Sequence, residues 1–543
     1  MKKYSMLTKA LVAAVCFASV LGCTKLKDDS YTTIISNKFN PTEDDLASLL
    51  GTAYSDWRFI LLDWDGVWRA QELSADQQVI PARPNGWVDG GVYKRIHQHA
   101  WTPDEGIVVN AWNRTYAGIT NCNRIIFQIE SGMLPVGEGQ ESVIAELKVL
   151  RAGYYSILVD MFGNVPIVTQ FDLPEGFLPE QSTREEVYAF IVDEITSNID
   201  LLSEENNVST YGKFNKWAAY TLLAKMYLNA EVYTGTPQWQ KVIEASDAVI
   251  NSGAGYALEP NQKNVFVTEN QNSREIIFAL PLDENFTNNW NAFDLHMQSL
   301  SPESQATYDL LSAPWGGMCA TPQFIDSYDP DDVRLQRNWI QGQQYTSSGE
   351  VLLCALGAYT GQPLNFINEV PSIDASEAIH GFRLGKFEIK QGAAVQLSND
   401  FPVFRYAQVL MMKAEALLRT GNADAAAAIV TSVRERAFPD HPEKAVVTGS
   451  ELQQGSSYDY GQRDSYGSTQ EGGADIQYGR FLDELGWEFD QEGHRRTDLI
   501  RFGAFVNKSW LSHEAKGNET RNLFPIPRAA MNTNPNLNQN DGY

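Results

Sequence analysis

The sequence predicts a mainly α-helical protein, a scaffold of degenerate helical hairpins joined to a second, irregular, loop-rich lobe containing short strands. Three observations carry this. From about residue 107 to 250 one helix-length apolar pattern follows another. A helix pair of the same kind recurs near the C-terminus, within residues 401–434. Between them, residues 255–400 change character, with many Asn, Gly, Pro and Ser and a β-like run, EIIFALPL.

The chain opens with MKKYSMLTKALVAAVCFASVLG, where Lys2, Lys3 and Lys9 precede an apolar run from Ala10 to Leu21. A charged start and an apolar run too short to span a bilayer form the pattern of a secretory signal peptide. Val20-Leu21-Gly22 runs straight into Cys23, which resembles the bacterial lipobox. Residues 1–22 are therefore expected to be removed and Cys23 acylated; ordinary cleavage near Ser19 is the alternative. The following Thr24-Lys25-Leu26-Lys27-Asp28-Asp29 turns acidic, which is similar to the export tag of surface lipoproteins. Acyl chains contribute roughly 0.8 kcal/mol per buried methylene, so two or three of them hold a protein stably. No other stretch approaches the roughly 18 apolar residues that a membrane span needs. The expectation is an anchored protein that does not cross the membrane.

Residues 23–106 would then hold the lipidated N-terminus, a first helix and irregular loops at 61–106 that carry DWDGVW, ARPNGWVDGG and HAWTPDEG. Residues 107–254 form the helical scaffold. In LKVLRAGYYSILVDMFG the length favours a helix, stopped by Gly163-Asn164-Val165-Pro166. In STREEVYAFIVDEI, Thr183 and Glu186 have capping-box spacing, and Val187, Ile191, Ile195 and Ile199 step along one face. In KWAAYTLLAKMYLNA, Trp217, Tyr220, Thr221, Ala224 and Leu228 share a stripe, and a partner helix follows from Trp239 through Val249. After the insertion at 255–400, residues 401–543 return to helices. Tyr406, Val409, Leu410, Ala414 and Leu417 share a face, Gly421-Asn422 turns, and alanines run from Ala423 to Ala428. Small residues at fixed places in paired helices are the logic of tetratricopeptide (TPR-like) units, here degenerate. The stretch 440–480 is a long polar loop, and long loops on a rigid scaffold are where binding residues tend to sit.

Composition narrows the function. Loss of the signal removes three lysines and no acids, taking the formal charge from −26 to −29. Such a field repels nucleic acid and anionic polymers, so a neutral ligand is expected. Cys122, Cys319 and Cys354 remain, an odd number without metal-like spacing, so no disulfide framework is expected. No Ser/His/Asp motif, phosphate loop or HExxH is present. His97-x-His99 could ligate a metal only with a third ligand that the sequence does not reveal. Asp63-x-Asp65-Gly66 and Asp329-Pro-Asp331-Asp332 could hold Ca²⁺, yet neither completes an EF-hand loop. No other cofactor is expected.

Several blocks together resemble the SusD/RagB family of outer-membrane nutrient-binding lipoproteins. They include WNRTYAGITNCNRII at 112–126, LRAGYYSILVDMFGNVPIV at 150–168, ATPQFIDSYDPDD at 320–332, EGHRRTDLIRFG at 492–503 and LFPIPRAAMNTNPNLNQNDGY at 523–543. Arg496 departs from the pattern, because the family usually shows an aromatic there. The resemblance implies a TPR-based scaffold and a SusC-like TonB-dependent transporter as partner, over which the lipoprotein closes as a lid. It also implies surface capture of oligosaccharides without cleavage. Glycopeptide or peptide loads occur in the family, and a surface glycoside hydrolase or esterase is the alternative from another class.

A sugar offers a C–H face for a flat ring and hydroxyls for carboxylates, amides and arginines. Trp57, Trp112, Trp217, Trp239, Trp487 and Trp510 lie in helix-like segments and are expected in the core. Trp64, Trp68, Trp87, Trp101, Trp290, Trp315 and Trp339 lie in loop-like segments, where a ring is either a platform or a pin holding the loop. Asp63-Trp64-Asp65 and Trp87-Val88-Asp89 put carboxylates beside indoles, with Arg83 close by. Similarity to the starch-binding member of the family implies a binding role for Trp101, and a weaker one for Asp104. Similarity to fructan-binding members implies a set of Asp63, Asp65, Asp89, Cys319, Trp339 and Arg383. The candidate site is thus Trp101, Asp104, Asp63, Asp65, Arg83, Trp87, Asp89, Trp315, Cys319, Trp339 and Arg383.

Overall fold

The computed structural model describes residues 43–286, 293–465 and 467–543. The expected signal, Cys23 and Trp290 lie outside the described residues.

The scaffold is a succession of packed helices. We label them α1 (Glu43–Leu62), α2 (Val67–Leu73), α3 (Val92–His97), α4 (Gly106–Glu130), α5 (Gln140–Met161), α6 (Arg184–Asn198), α7 (Lys216–Leu228) and α8 (Trp239–Ile250). After the insertion come α9 (Tyr406–Arg419), α10 (Ala423–Arg434), α11 (Gly479–Phe489) and α12 (Arg495–Arg501). Helix α1 packs on α4, α4 on α5, α5 on α6, α7 on α8 and α9 on α10. Helix α8 also packs directly on α9, so the long insertion interrupts the sequence but not the helical stack. Among the described residues no helix is long and apolar enough to cross a membrane.

Local signals account for these elements. Thr183 caps α6 in a capping box with Glu186, and Val187, Ile191, Ile195 and Ile199 are all buried along it. Helix α5 ends at Met161, and Gly163 turns the chain at φ 71°. Within α5, Gly153 lets the ring of Trp57 lie against the backbone; a β-carbon there would meet the indole at 2.5 Å. Helix α9 differs from its expected single stripe, because it is covered on two sides. Val409, Met412 and Ala416 join the main core, whereas Ala407, Met411, Ala414 and Leu418 join a second core with α10 and α11. The segment 61–106, expected as irregular loops, contains α2 and α3, and every residue of α2 is buried. Trp68 is therefore a core residue whose indole donates to Gln491 O at 2.9 Å.

The insertion lobe is fastened by a strand pair and by charge. Ile276–Leu280 pairs antiparallel with Phe401–Arg405, joining the two ends of the lobe. The remaining strands are two-residue pairs, and two of these pairs, Trp339–Ile340 with Arg383–Leu384 and Gly342–Gln343 with Asn365–Phe366, lie wholly within the lobe. Beneath them lies a buried ion network. Arg334 reaches Asp332, Glu484 and Glu488 (2.7–3.1 Å), and Arg405 reaches Glu275, Glu488 and Glu492 (2.6–2.8 Å). Lys386 reaches Asp490 at 2.9 Å and Glu492 at 2.6 Å. Glu484 and Glu488 come from α11, and Asp490 and Glu492 directly follow it, so the network ties the lobe to the helical scaffold. Arg496, where the resemblance leads to the expectation of an aromatic, is fully buried. Its guanidinium lies 5.0 Å from the centroid of Phe524 and pairs with Asp160 at 2.9 Å.

Candidate functional site

Loop 80–91 and the insertion lobe meet through the short strands Gln78–Val79 and Cys319–Ala320, which pair antiparallel. This register brings Trp87 to Trp315, with ring centroids 6.3 Å apart and planes at 45°. Gly317 makes the approach possible, since a β-carbon there would meet the Trp87 ring at 2.9 Å. Trp315 is 37% exposed and Trp64 46% exposed. Tyr93, which the sequence did not single out, props the group from below. Its ring centroid is 5.5 Å from that of Trp87, and its hydroxyl donates to Trp64 O at 3.4 Å. Asn85 was equally unmarked, and its amide donates to Gly316 O at 2.9 Å and to the carbonyl of Trp315.

Carboxylates lie on the same loops as these rings. Burial raises the Asp89 carboxyl, and the nearby Tyr93 and Trp87 side chains act against that rise. Asp63 Oδ1 accepts the Trp64 amide at 2.8 Å. Burial and the neighbouring Asp63 charge push the Asp65 carboxyl up to about 6, with Asp89 and Glu105 adding to the rise. The guanidinium closest in role, Arg69, is spent on Asp294 (2.9 Å) and Gln298 (3.0 Å) and on the carbonyls of Leu62 and Asp63. The site therefore combines aromatic faces with hydrogen-bond acceptors and carries a negative local field.

Several expected site residues lie elsewhere. Trp101 is 2% exposed and presents no free face: it packs on Phe524 (centroids 4.4 Å) and His99 (4.9 Å), and its Nε1 donates to Tyr543 Oη. The C-terminal segment covers it. Asp104, exposed, is paired with Arg528 at 2.8 Å on that same segment. Trp339 is buried against Phe324 in the Trp339–Ile340 strand, which pairs with Arg383–Leu384. Cys319 is buried, and its Sγ accepts from Arg83 Nη2 at 3.2 Å. Arg83 and Arg383 are buried and bond to backbone carbonyls, both meeting at His380 O (2.8 and 2.7 Å). These four residues build the floor under the loops, with the Trp339 indole and the Cys319 thiol buried. The surface group is Trp64, Trp87 and Trp315 with Asp63, Asp65 and Asp89.

The metal candidates are also consumed by structure. Asp329 and Asp331 converge on Lys444 Nζ (2.8 and 2.6 Å), and Asp332 pairs with Arg334, so these carboxylates are held in ion pairs. His97 and His99 are buried with His513 under Trp510, with centroids of 4.2 Å between His99 and His513. Their nitrogens meet the carbonyls of Leu73, Leu511 and Ser74 (2.6–3.2 Å), and burial lowers the pKa of all three. Among the described residues no group of three or more His, Cys, Asp or Glu side chains is arranged to hold a metal ion.

Comparison with known proteins agrees with this architecture. The model of the SusD family matches residues 368–543, and a model described as "Starch-binding associating with outer membrane" matches residues 61–228. The chain is 25% identical to the starch-binding protein SusD of Bacteroides thetaiotaomicron over 494 residues, covering 84% of this chain and 82% of that protein. A laminarin-binding SusD-like protein superposes with a TM-score of 0.69 at 21% identity, covering 93% of this chain and all of the other. Surface glycan-binding protein A of Bacteroides thetaiotaomicron, solved with laminarihexaose, superposes with a TM-score of 0.68 at 18% identity, covering 92% of this chain and all of the other. With two family models between them spanning more than half its length, and the same fold over 93% of it, the chain belongs to the SusD/RagB family.

Proposed function

We propose that this protein captures oligosaccharides on the arc formed by Trp64, Trp87 and Trp315 and hands them to a SusC-like TonB-dependent outer-membrane transporter without cleaving them. The observation that carries the reading is the tilted, solvent-facing Trp87–Trp315 pair beside Asp63, Asp65 and Asp89. Indole faces take the C–H side of a sugar ring, and carboxylates accept its hydroxyl protons. Because the nearby guanidiniums of Arg69 and Arg83 are committed to protein partners, the arc favours a neutral glycan over an acidic one; a fructan is one such ligand. The relatives that bind starch and laminarin support the class of ligand.

Acylation of Cys23 would hold the protein at the outer-membrane surface. A panel of neutral and acidic glycans incubated with the purified protein tests the reading. Depletion of a glycan without new reducing ends supports capture. Hydrolysis identifies an enzyme instead, for which Asp65 with its raised pKa would be the acid candidate. Mild detergent extraction of the native membrane should copurify a β-barrel partner. Recovery of the protein alone, with the transporter intact elsewhere, contradicts the partnership.

A further inference from the structure

The tryptophan arc does not end at Trp315. Beside the turn that Asn85 pins lies a pocket holding about 410 Å³ of unfilled space, its mouth included. Pro84, Pro302, Ala355, Leu356 and Ala378 supply its walls, and Leu356, 51% exposed, stands at the rim. The charged side chains bordering the pocket point their heads elsewhere. Arg83 donates to Gly317 O (3.2 Å) and His380 O (2.8 Å). Arg383 donates to the carbonyls of His380, Gly381 and Ala378 at 2.7–2.8 Å. Glu303 Oε1 accepts the Ala355 amide at 2.8 Å. The polar atoms here that lack a partner, Asn85 Oδ1, Glu303 Oε2 and Arg383 Nε, are themselves covered.

The lining decides what the pocket can take. A hydroxylated ring entering such a wall would give up hydrogen bonds to water and receive none in return. A methyl group has no such debt and gains from leaving water. We propose that this pocket takes a methyl-bearing substituent of the glycan held on the tryptophan arc, either an acetyl group or the C6 methyl of a 6-deoxy sugar. It thereby sets which decorated glycans the protein prefers. The proposal rests on the glycan-binding reading of that arc, since the pocket opens beside Trp315 and would be filled by a group projecting from a sugar stacked there.

The test uses matched pairs of oligosaccharides on one backbone: acetylated against unacetylated, and 6-deoxy against 6-hydroxy. Affinities are measured for the wild-type protein, Leu356→Trp and Trp315→Ala. Leu356→Trp fills the mouth from an exposed position, so the fold should persist, and a melting curve checks it. The methyl-bearing member of one pair should bind about tenfold tighter to wild type, the size expected when a methyl is buried or a hydroxyl that would be left unpaired is removed. Which pair shows it identifies the substituent. In Leu356→Trp the preference should vanish while the undecorated member binds as before. Equal affinities within both pairs, or a preference that survives in a folded Leu356→Trp protein, would overturn the pocket. Absence of binding to every glycan, or binding that survives Trp315→Ala, would instead overturn the arc, and the pocket with it.

Discussion

Replacement of Glu484 by glutamine should loosen the joint between the insertion lobe and the helical scaffold. The Glu484 side chain is fully buried in α11 and accepts from Arg334 Nη2 at 3.0 Å, Arg480 Nη1 at 3.2 Å and Arg434 Nη1. Burial alone would raise its carboxyl, but the three guanidiniums of Arg434, Arg334 and Arg480 hold it down to about 2. Relative to an unfolded glutamate titrating near 4.5, that displacement corresponds to about 3 kcal/mol at pH 7. Removing one partner of a buried ion network costs about 3–5 kcal/mol, which agrees. Glu484→Gln keeps the side-chain shape and removes the charge, so the loss should be about 3 kcal/mol in a urea titration at pH 7. The sign with pH follows from the depressed carboxyl. Its contribution is fully present above about pH 4.5 and is lost as the pH falls toward 2, so the variant should show a shallower acid slope over that window. A loss below about 1 kcal/mol, or an acid slope identical to wild type, would refute the reasoning.

Three further outcomes are expected. Trp101→Ala should lower stability by about 3–5 kcal/mol, because the indole is enclosed by Phe524, His99 and Tyr543, while the folded protein keeps its glycan affinity. A stable Trp101→Ala protein that no longer binds would place the indole back in the site. Glycan affinity should be nearly full at pH 7.5 and fall as the pH drops through 6, because a hydroxyl-accepting Asp65 must be ionised and its carboxyl sits at about 6; calorimetry at pH 7.5 and 5 checks this, and a flat profile contradicts it. Cys23→Ala should release the protein from the membrane, and fatty-acid labelling of wild type but not the variant is the check.

The scaffold was legible in the sequence because its signals are local. The Thr183–Glu186 cap and the Val187-to-Ile199 ladder involve residues within a few turns of one another, and both hold in the structure. The site was legible only in part. Trp87 and Trp315 stand out in sequence as loop indoles, and they do reach the surface as a pair. Trp101 stands out equally, in the polar, proline-broken HAWTPDEG, yet a tail more than 400 residues away covers it. Trp339 and Cys319 fail for the same reason: each lies in a two-residue strand whose partner is distant in the chain. Tyr93 and Asn85 carried no signal, since a prop is recognisable only once the rings it supports are in place. The helix α2 was hidden by its own brevity and by the Asp-Trp-Asp-Gly that precedes it.

The most direct test of the account is the glycan affinity of Trp315→Ala, measured by calorimetry with the tightest-binding member of the panel, alongside a melting curve. Trp315 is partly exposed and opposes Trp87 at 6.3 Å, so truncation removes a stacking face without opening the core. The account predicts that binding weakens by about 2 kcal/mol or more while the unfolding transition barely moves. Wild-type affinity in a well-folded Trp315→Ala protein would contradict it.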